Sequence, residues 1–199
     1  LGRVIVVSII AGFGTVQIAA NGVANSLDSM GCIVGQAMNL AMITVIGRCV
    51  GAGDSGQVRH YTKKLLKITY LCTFMVNSVI LLCLPWILKC YGLSTETTQL
   101  SYILVMIHNG MAMFLWPASF VLPNMLRACN DVRFTMVLSI FSMFMFRIGF
   151  SYIIGVNMGY GAIGVWIAMV LDWIFRVICF VSRYLSGHWL KTAGLKDNR

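Results

Sequence analysis

Residues 58–88 read VRHYTKKLLKITYLCTFMVNSVILLCLPWIL: a basic amphipathic lead-in from Val58 to Lys67, then an apolar run to Leu88 without a charged side chain. A helix crosses the bilayer with about 20 mostly apolar residues, because its backbone polar groups are all satisfied within the segment. Runs of the same kind lie on both sides. Residues 16–47 hold Asp28 as their one acidic residue and no base; residues 97–126 are interrupted by Pro117 and Pro123; residues 134–154 and 162–181 follow. Residues 1–12 are apolar but too short to cross, and Leu1 opens directly into that run, so the sequence predicts a first helix truncated at its start. Breaks separate the runs at Gly12-Phe13-Gly14, Gly51-Ala52-Gly53-Asp54, Tyr91-Gly92, Ala128-Cys129-Asn130-Asp131 and Gly159-Tyr160-Gly161. The expected fold is an all-α integral membrane protein, a six-helix bundle lobe followed by a basic tail over residues 182–199.

Composition agrees. The 199 residues are 59% hydrophobic and 11% charged, with a mean hydropathy of +0.84, against about 45–50% and about 25% in soluble domains. A soluble chain cannot cover its surface with so few polar groups. Alternating strands of a transmembrane barrel are absent, since the runs are continuous. The net charge of +9 would suggest nucleic acid in a soluble protein. Here the bases gather in the breaks, and no nucleic-acid partner is expected. The seven Cys, with Cys32, Cys49, Cys72, Cys83, Cys129 and Cys179 inside or at the ends of apolar runs, form no CxxC pair. They read as small apolar packers, and no metal site is expected.

Six crossings place alternate breaks on opposite sides. One side then holds Arg48, Arg59, Lys63, Lys64, Lys67, Arg127, Arg133, Arg183, Lys191, Lys196 and Arg199; the other holds Lys89. By the positive-inside rule the first set and the C-terminus are expected in the cytoplasm.

Polar groups at bilayer depth are costly and therefore informative. Asn21, Asn25 and Asp28 share one helical face, which continues roughly through Gly35 and Asn39, with Gln36 beside it. They read either as the wall of a cation-attracting cavity or as interhelical hydrogen bonding, with Gly22, Gly31 and Gly35 allowing close approach. His108 and Asn109 lie near the middle of the fourth run. An imidazole there is a candidate proton switch and equally a neutral core histidine. Pro117 should bend this helix, and Met106, Met111, Met113, Phe114, Trp116 and Phe120 around it read either as an adaptable apolar wall or, residue by residue, as lipid-facing and core packing. Arg147 and Asp172 reach similar depth in the last two runs, and Arg176 follows Asp172 by one turn. The three read as a structural charge cluster. Arg3 has no assignable partner. GxSxG, HExxH and Walker A patterns are missing, so no enzyme activity or catalytic residue is expected.

Three stretches carry a resemblance. They are Val45-Ile46-Gly47-Arg48-Cys49-Val50-Gly51-Ala52-Gly53-Asp54 before the basic amphipathic helix; Pro123-Asn124-Met125-Leu126-Arg127-Ala128-Cys129-Asn130-Asp131-Val132-Arg133; and Gly161-Ala162-Ile163-Gly164-Val165-Trp166-Ile167-Ala168 with Asp172, Arg176 and a closing Ser186-Gly187-His188-Trp189. In this order they resemble the C-terminal half of the multidrug and toxic compound extrusion (MATE) transporters, nearer the bacterial DinF-like branch.

The resemblance implies twelve helices in two six-helix lobes, with this chain as the second and the N-terminal lobe missing from it. It implies a cation-coupled antiporter of the bacterial cytoplasmic membrane, driven by Na⁺ or H⁺ and without another cofactor, exporting organic cations and amphipathic xenobiotics by alternating access. Some branches place an acid in the fourth helix of this lobe, where this sequence has His108-Asn109. Two rival readings are a lipid-linked oligosaccharide flippase or polysaccharide exporter of the same superfamily, and a membrane subunit that scaffolds a partner.

Overall fold

In the computed structural model the described residues run from 2 to 196; the side chain of Arg3, and Arg199 with its two preceding residues, lie outside the description. Five helices are long and apolar enough to cross a membrane. A short α1 (Gly2–Ala11) precedes them. They are α2 (Thr15–Gly51), α3 (Ser55–Cys90), α4 (Thr95–Ala128), α5 (Val132–Asn157) and α6 (Gly161–Leu185). A last turn, α7 (His188–Thr192), closes the chain.

Caps explain why the helices outrun the apolar runs. The Asp54 carboxylate accepts from the Gln57 N–H at 2.9 Å, so α3 starts at Ser55 rather than Val58. Ser94 caps α4 the same way, accepting from the Thr97 N–H at 3.3 Å. The expected tail is also partly structured. α6 continues to Leu185, Gly187 turns the chain with φ 68°, and α7 folds Trp189 inward.

Two helices contain π-type turns. Pro117 lacks an N–H, and from Pro117 to Val121 the ladder widens, the Leu122 N–H reaching back to the Pro117 carbonyl. The expected disturbance at Pro117 thus takes the form of a wide turn. α5 is α-helical to Ser142 and π-helical from Met143 to Asn157.

Two apolar clusters build the bundle. The boundary falls between Leu27 and Cys32 on α2, between Val105 and Ala112 on α4, and between Met169 and Trp173 on α6. Asp28, His108 and Asp172 fall in that gap, so a polar layer crosses the bundle between two hydrophobic ones. The outward faces stay apolar, with Leu40, Leu82 and Leu185 among the most exposed side chains. Against lipid such a face costs nothing.

Side-chain bonds tie distant segments. Gln17 Oε1 accepts from the Ala162 N–H at 2.8 Å, and Asn21 Oδ1 accepts from the Trp166 indole N–H at 3.0 Å. At the other end, Arg183 Nε and Nη2 donate to the two Asp131 carboxylate oxygens at 2.8 and 3.2 Å. That pair joins the α4–α5 connection to the end of α6.

Candidate functional site

α2 is amphipathic in an unusual sense: the stripe Asn25, Asp28, Ser29, Cys32 and Gln36 recurs every three or four residues and lines one side of a cavity of about 210 Å³. His108, Trp116 and Phe120 of α4 form a second wall, and Arg147 of α5 with Met169 and Trp173 of α6 forms the third.

At its centre, His108 Nδ1 lies 3.0 Å from Asp28 Oδ1. The Cys32 thiol donates to the same oxygen at 3.3 Å. His108 is held edge-on to Trp166 and tilted against Trp173, with ring centroids 4.6 and 4.4 Å away. Those two rings leave the imidazole little freedom except along the line to Asp28. The His108 side chain is 4% exposed and that of Asp28 is 21%, so the carboxylate is the member of the pair that meets the cavity.

Arg147 changes the electrostatics that the sequence suggests. Its Nη2 donates to Met169 Sδ at 3.1 Å, and its backbone carbonyl accepts from the Ser151 hydroxyl. It lines the same cavity as Asp28. One carboxylate therefore does not make the cavity anionic. With a neutral imidazole the lining is balanced, and a proton on His108 makes it positive. A charge change of one unit here acts at short range in a partly desolvated space, where it is poorly screened.

Of the expected cluster of Arg147, Asp172 and Arg176, the last two pair directly. Arg176 Nε donates to both Asp172 oxygens at 3.0 and 3.1 Å, and its Nη2 donates to the Ser139 carbonyl at 3.2 Å. Asp172 is fully buried. Arg147 lines the cavity, from the π-helical part of α5.

Other candidates also separate. Asn25 and Gln36 reach the cavity. Asn21 is buried against Trp166 and also accepts from the Asn25 amide at 3.0 Å. Asn39 accepts from Asn124 Nδ2 at 2.8 Å, within a chain that continues from Arg127 Nη1 to Asn124 Oδ1. Asn109 is fully buried near Gly31 and Asn77 and is not among the residues that line the cavity. Asn77 in turn donates to the Gly31 and Thr73 carbonyls. Consecutive helical residues point about 100° apart, a signal that separates His108 from Asn109 already in the sequence. Asp131 was not singled out by sequence; no local pattern announces a partner fifty residues away. Among the described residues no group of three His, Cys, Asp or Glu is placed to hold a metal.

The family profile MatE matches residues 1–153. Curated relatives are similar, two of them as follows. A probable multidrug resistance protein NorM of Thermotoga maritima is 22% identical over 94% of this chain and 40% of its own length. An uncharacterized transporter YisQ of Bacillus subtilis is 30% identical over 36% of this chain and 16% of its own length. The chain thus spans less than half the length of the relatives it matches. An all-helical bundle of membrane-crossing length, a polar cavity at its middle and a profile match over most of its residues lead to one conclusion: this chain belongs to the MatE family of membrane transporters.

Proposed function

We propose that the chain is the C-terminal lobe of a DinF-like, cation-coupled exporter of amphipathic organic compounds in the bacterial cytoplasmic membrane, working with an N-terminal lobe by alternating access. The observation that carries this reading is the contact of Asp28 with His108 on a cavity wall. Imidazole titrates near physiological pH, and a proton on the pair changes the charge of the cavity beside Arg147. Bound proton and bound organic cation then oppose each other electrostatically, which is what an exchanger needs: each ligand biases the other's release. Between the two coupling ions, the guanidinium at the cavity favours H⁺. A second cation such as Na⁺ would sit beside Arg147 with one carboxylate to hold it. The Arg147 and Asp28 combination argues against the flippase reading, where a pyrophosphate needs an excess of positive charge.

The test uses the full-length transporter in proteoliposomes. Asp28→Asn and His108→Gln are expected to abolish export of a cationic dye driven by a pH gradient, with unchanged elution on gel filtration. Undiminished pH-driven export by both variants would overturn the assignment, and export that responds to a Na⁺ gradient alone would overturn the choice of ion.

A further inference from the structure

The polar layer between the two apolar clusters holds Gly31 and Asn109 as well as Asp28 and His108. Asn77 and Thr73 of α3 meet that layer beside Gly31, and none of Gly31, Thr73, Asn77 and Asn109 lines the Asp28 cavity. Thr73, Asn77 and Asn109 are fully buried. The Asn77 Nδ2 donates to the Gly31 carbonyl at 3.3 Å and to the Thr73 carbonyl at 2.8 Å. Those two bonds fix the amide and leave Asn77 Oδ1 as an acceptor. A Cβ built on Gly31 would overlap Asn77 Oδ1 and stand 3.1 Å from Asn109 Nδ2, so the two amides border one space that glycine leaves open. Asn77 Oδ1, Thr73 Oγ1 and both polar atoms of the Asn109 amide are buried with no hydrogen-bond partner among the described residues. Near mid-bilayer they cannot turn to solvent, and folded interiors satisfy such groups with protein or with ordered water.

Donors mixed with acceptors, on neighbouring helices and without a charge, match a small neutral ligand that both donates and accepts. We propose that Asn77, Asn109 and Thr73 hold a buried water molecule that joins α3 to α4 beside Gly31. The water donates to Asn77 Oδ1 and accepts from Asn109 Nδ2. Thr73, one turn from Asn77 on the same face, brings its hydroxyl as a third partner, and three bonds are the usual complement of a buried water. A cation fits this set poorly: the four residues hold no carboxylate, and an unpaired buried ion costs far more than a neutral molecule. An anion would meet Asn77 Oδ1, whose orientation the two carbonyls fix. The inference rests on the packing of α2, α3 and α4 and stands whatever the transporter carries.

A crystallographic map of the full-length transporter at about 2 Å resolution tests it directly. One density peak is expected within hydrogen-bond distance of both Asn77 Oδ1 and an Asn109 amide atom. Crystals in which Tl⁺ replaces Na⁺ should give no anomalous signal at that peak; a signal there would make the ligand a cation and overturn the assignment. An Asn109 amide bonded straight to Asn77, with no peak between them, would overturn it too. Thermal melting of Asn109→Leu, an apolar replacement of similar size, separates the cases by sign. Where a water bridges, the variant strands Asn77 Oδ1 and should melt a few degrees lower. Where the amide has no partner, the variant removes an uncompensated polar group, and a rise in melting temperature would overturn the proposal. If Asn109→Leu does not fold, the density in the unaltered protein still decides.

Discussion

Gly35 of α2 packs directly on the six-membered ring of Trp116: a Cβ built on Gly35 would overlap the indole, with no flexible side-chain end to give way. Trp116 lines the cavity and stacks on Phe120 at 5.1 Å. Gly35→Ala should therefore push the indole into the cavity, costing about 1–3 kcal/mol as overpacking does and changing which dyes the full-length transporter exports. Gly47 has open space around its Cβ position. Gly47→Ala should leave export unchanged and raise stability by about 0.5–1 kcal/mol. Thermal melting in detergent, beside dye-export assays, reads both. Identical behaviour of the two variants would contradict the contact.

The Asp131–Arg183 pair should behave as a clamp. Asp131 is buried, and Arg183 also lies over Phe134 at 4.4 Å. A double-mutant cycle with Asp131→Ala and Arg183→Ala is expected to show a coupling of about 1–3 kcal/mol. Arg183→Ala should cost more than Asp131→Ala, because it also removes the guanidinium from the ring. Additive losses would leave the pair without energetic meaning.

Asp172→Asn should lower the melting temperature and the folded yield. It leaves Arg176 buried without its carboxylate, a change worth about 3–5 kcal/mol in comparable buried pairs. Replacing both, Asp172→Leu with Arg176→Met, should recover much of the loss, since an apolar pair of similar volume does not need desolvated charge. Normal yield of Asp172→Asn with selectively lost export would instead place the pair in the transport step.

Thiol labelling checks orientation and burial together. Burial, helped by the nearby Asp131 charge, pushes the Cys129 thiol up to about 12, so little thiolate exists at neutral pH. Cys90 is exposed at the opposite end of the bundle. An impermeant maleimide applied to whole cells at pH 7 is expected to label Cys90 and spare Cys129. A cysteine placed at Asp54 should also be spared. Labelling at position 54 from outside would reverse the orientation.

The sequence reads well where one physical rule dominates. Apolar runs locate α2 to α6, and glycine or asparagine breaks separate them, Asn130 taking the left-handed conformation at φ 62° that its side chain tolerates. The spacing of Asn25 and Asp28 puts them on one wall because α2 is α-helical throughout, while nothing in the sequence singles out Ser29 or Cys32 beside them. No residue between Met143 and Asn157 advertises the wider turn of α5. Helical spacing alone puts Asn39 roughly on the cavity face; its bond to Asn124 depends on how α4 continues beyond Pro117, which spacing does not reveal.

Gln17 meets the Ala162 N–H, and Asn21 adds the Trp166 indole to its local bond with Asn25, only when residues 145 positions later in the chain arrive. During synthesis α2 therefore enters the bilayer with two amide side chains whose long-range partners have not yet been translated. Those amides need water, lipid headgroups or a holding protein until α6 docks, and α6 docks with the amide of its second residue accepted by Gln17. Assembly of this lobe is thus checked at its last spanning segment: a chain interrupted before α6 displays unsatisfied amides within the membrane, the kind of defect that membrane proteases can sense.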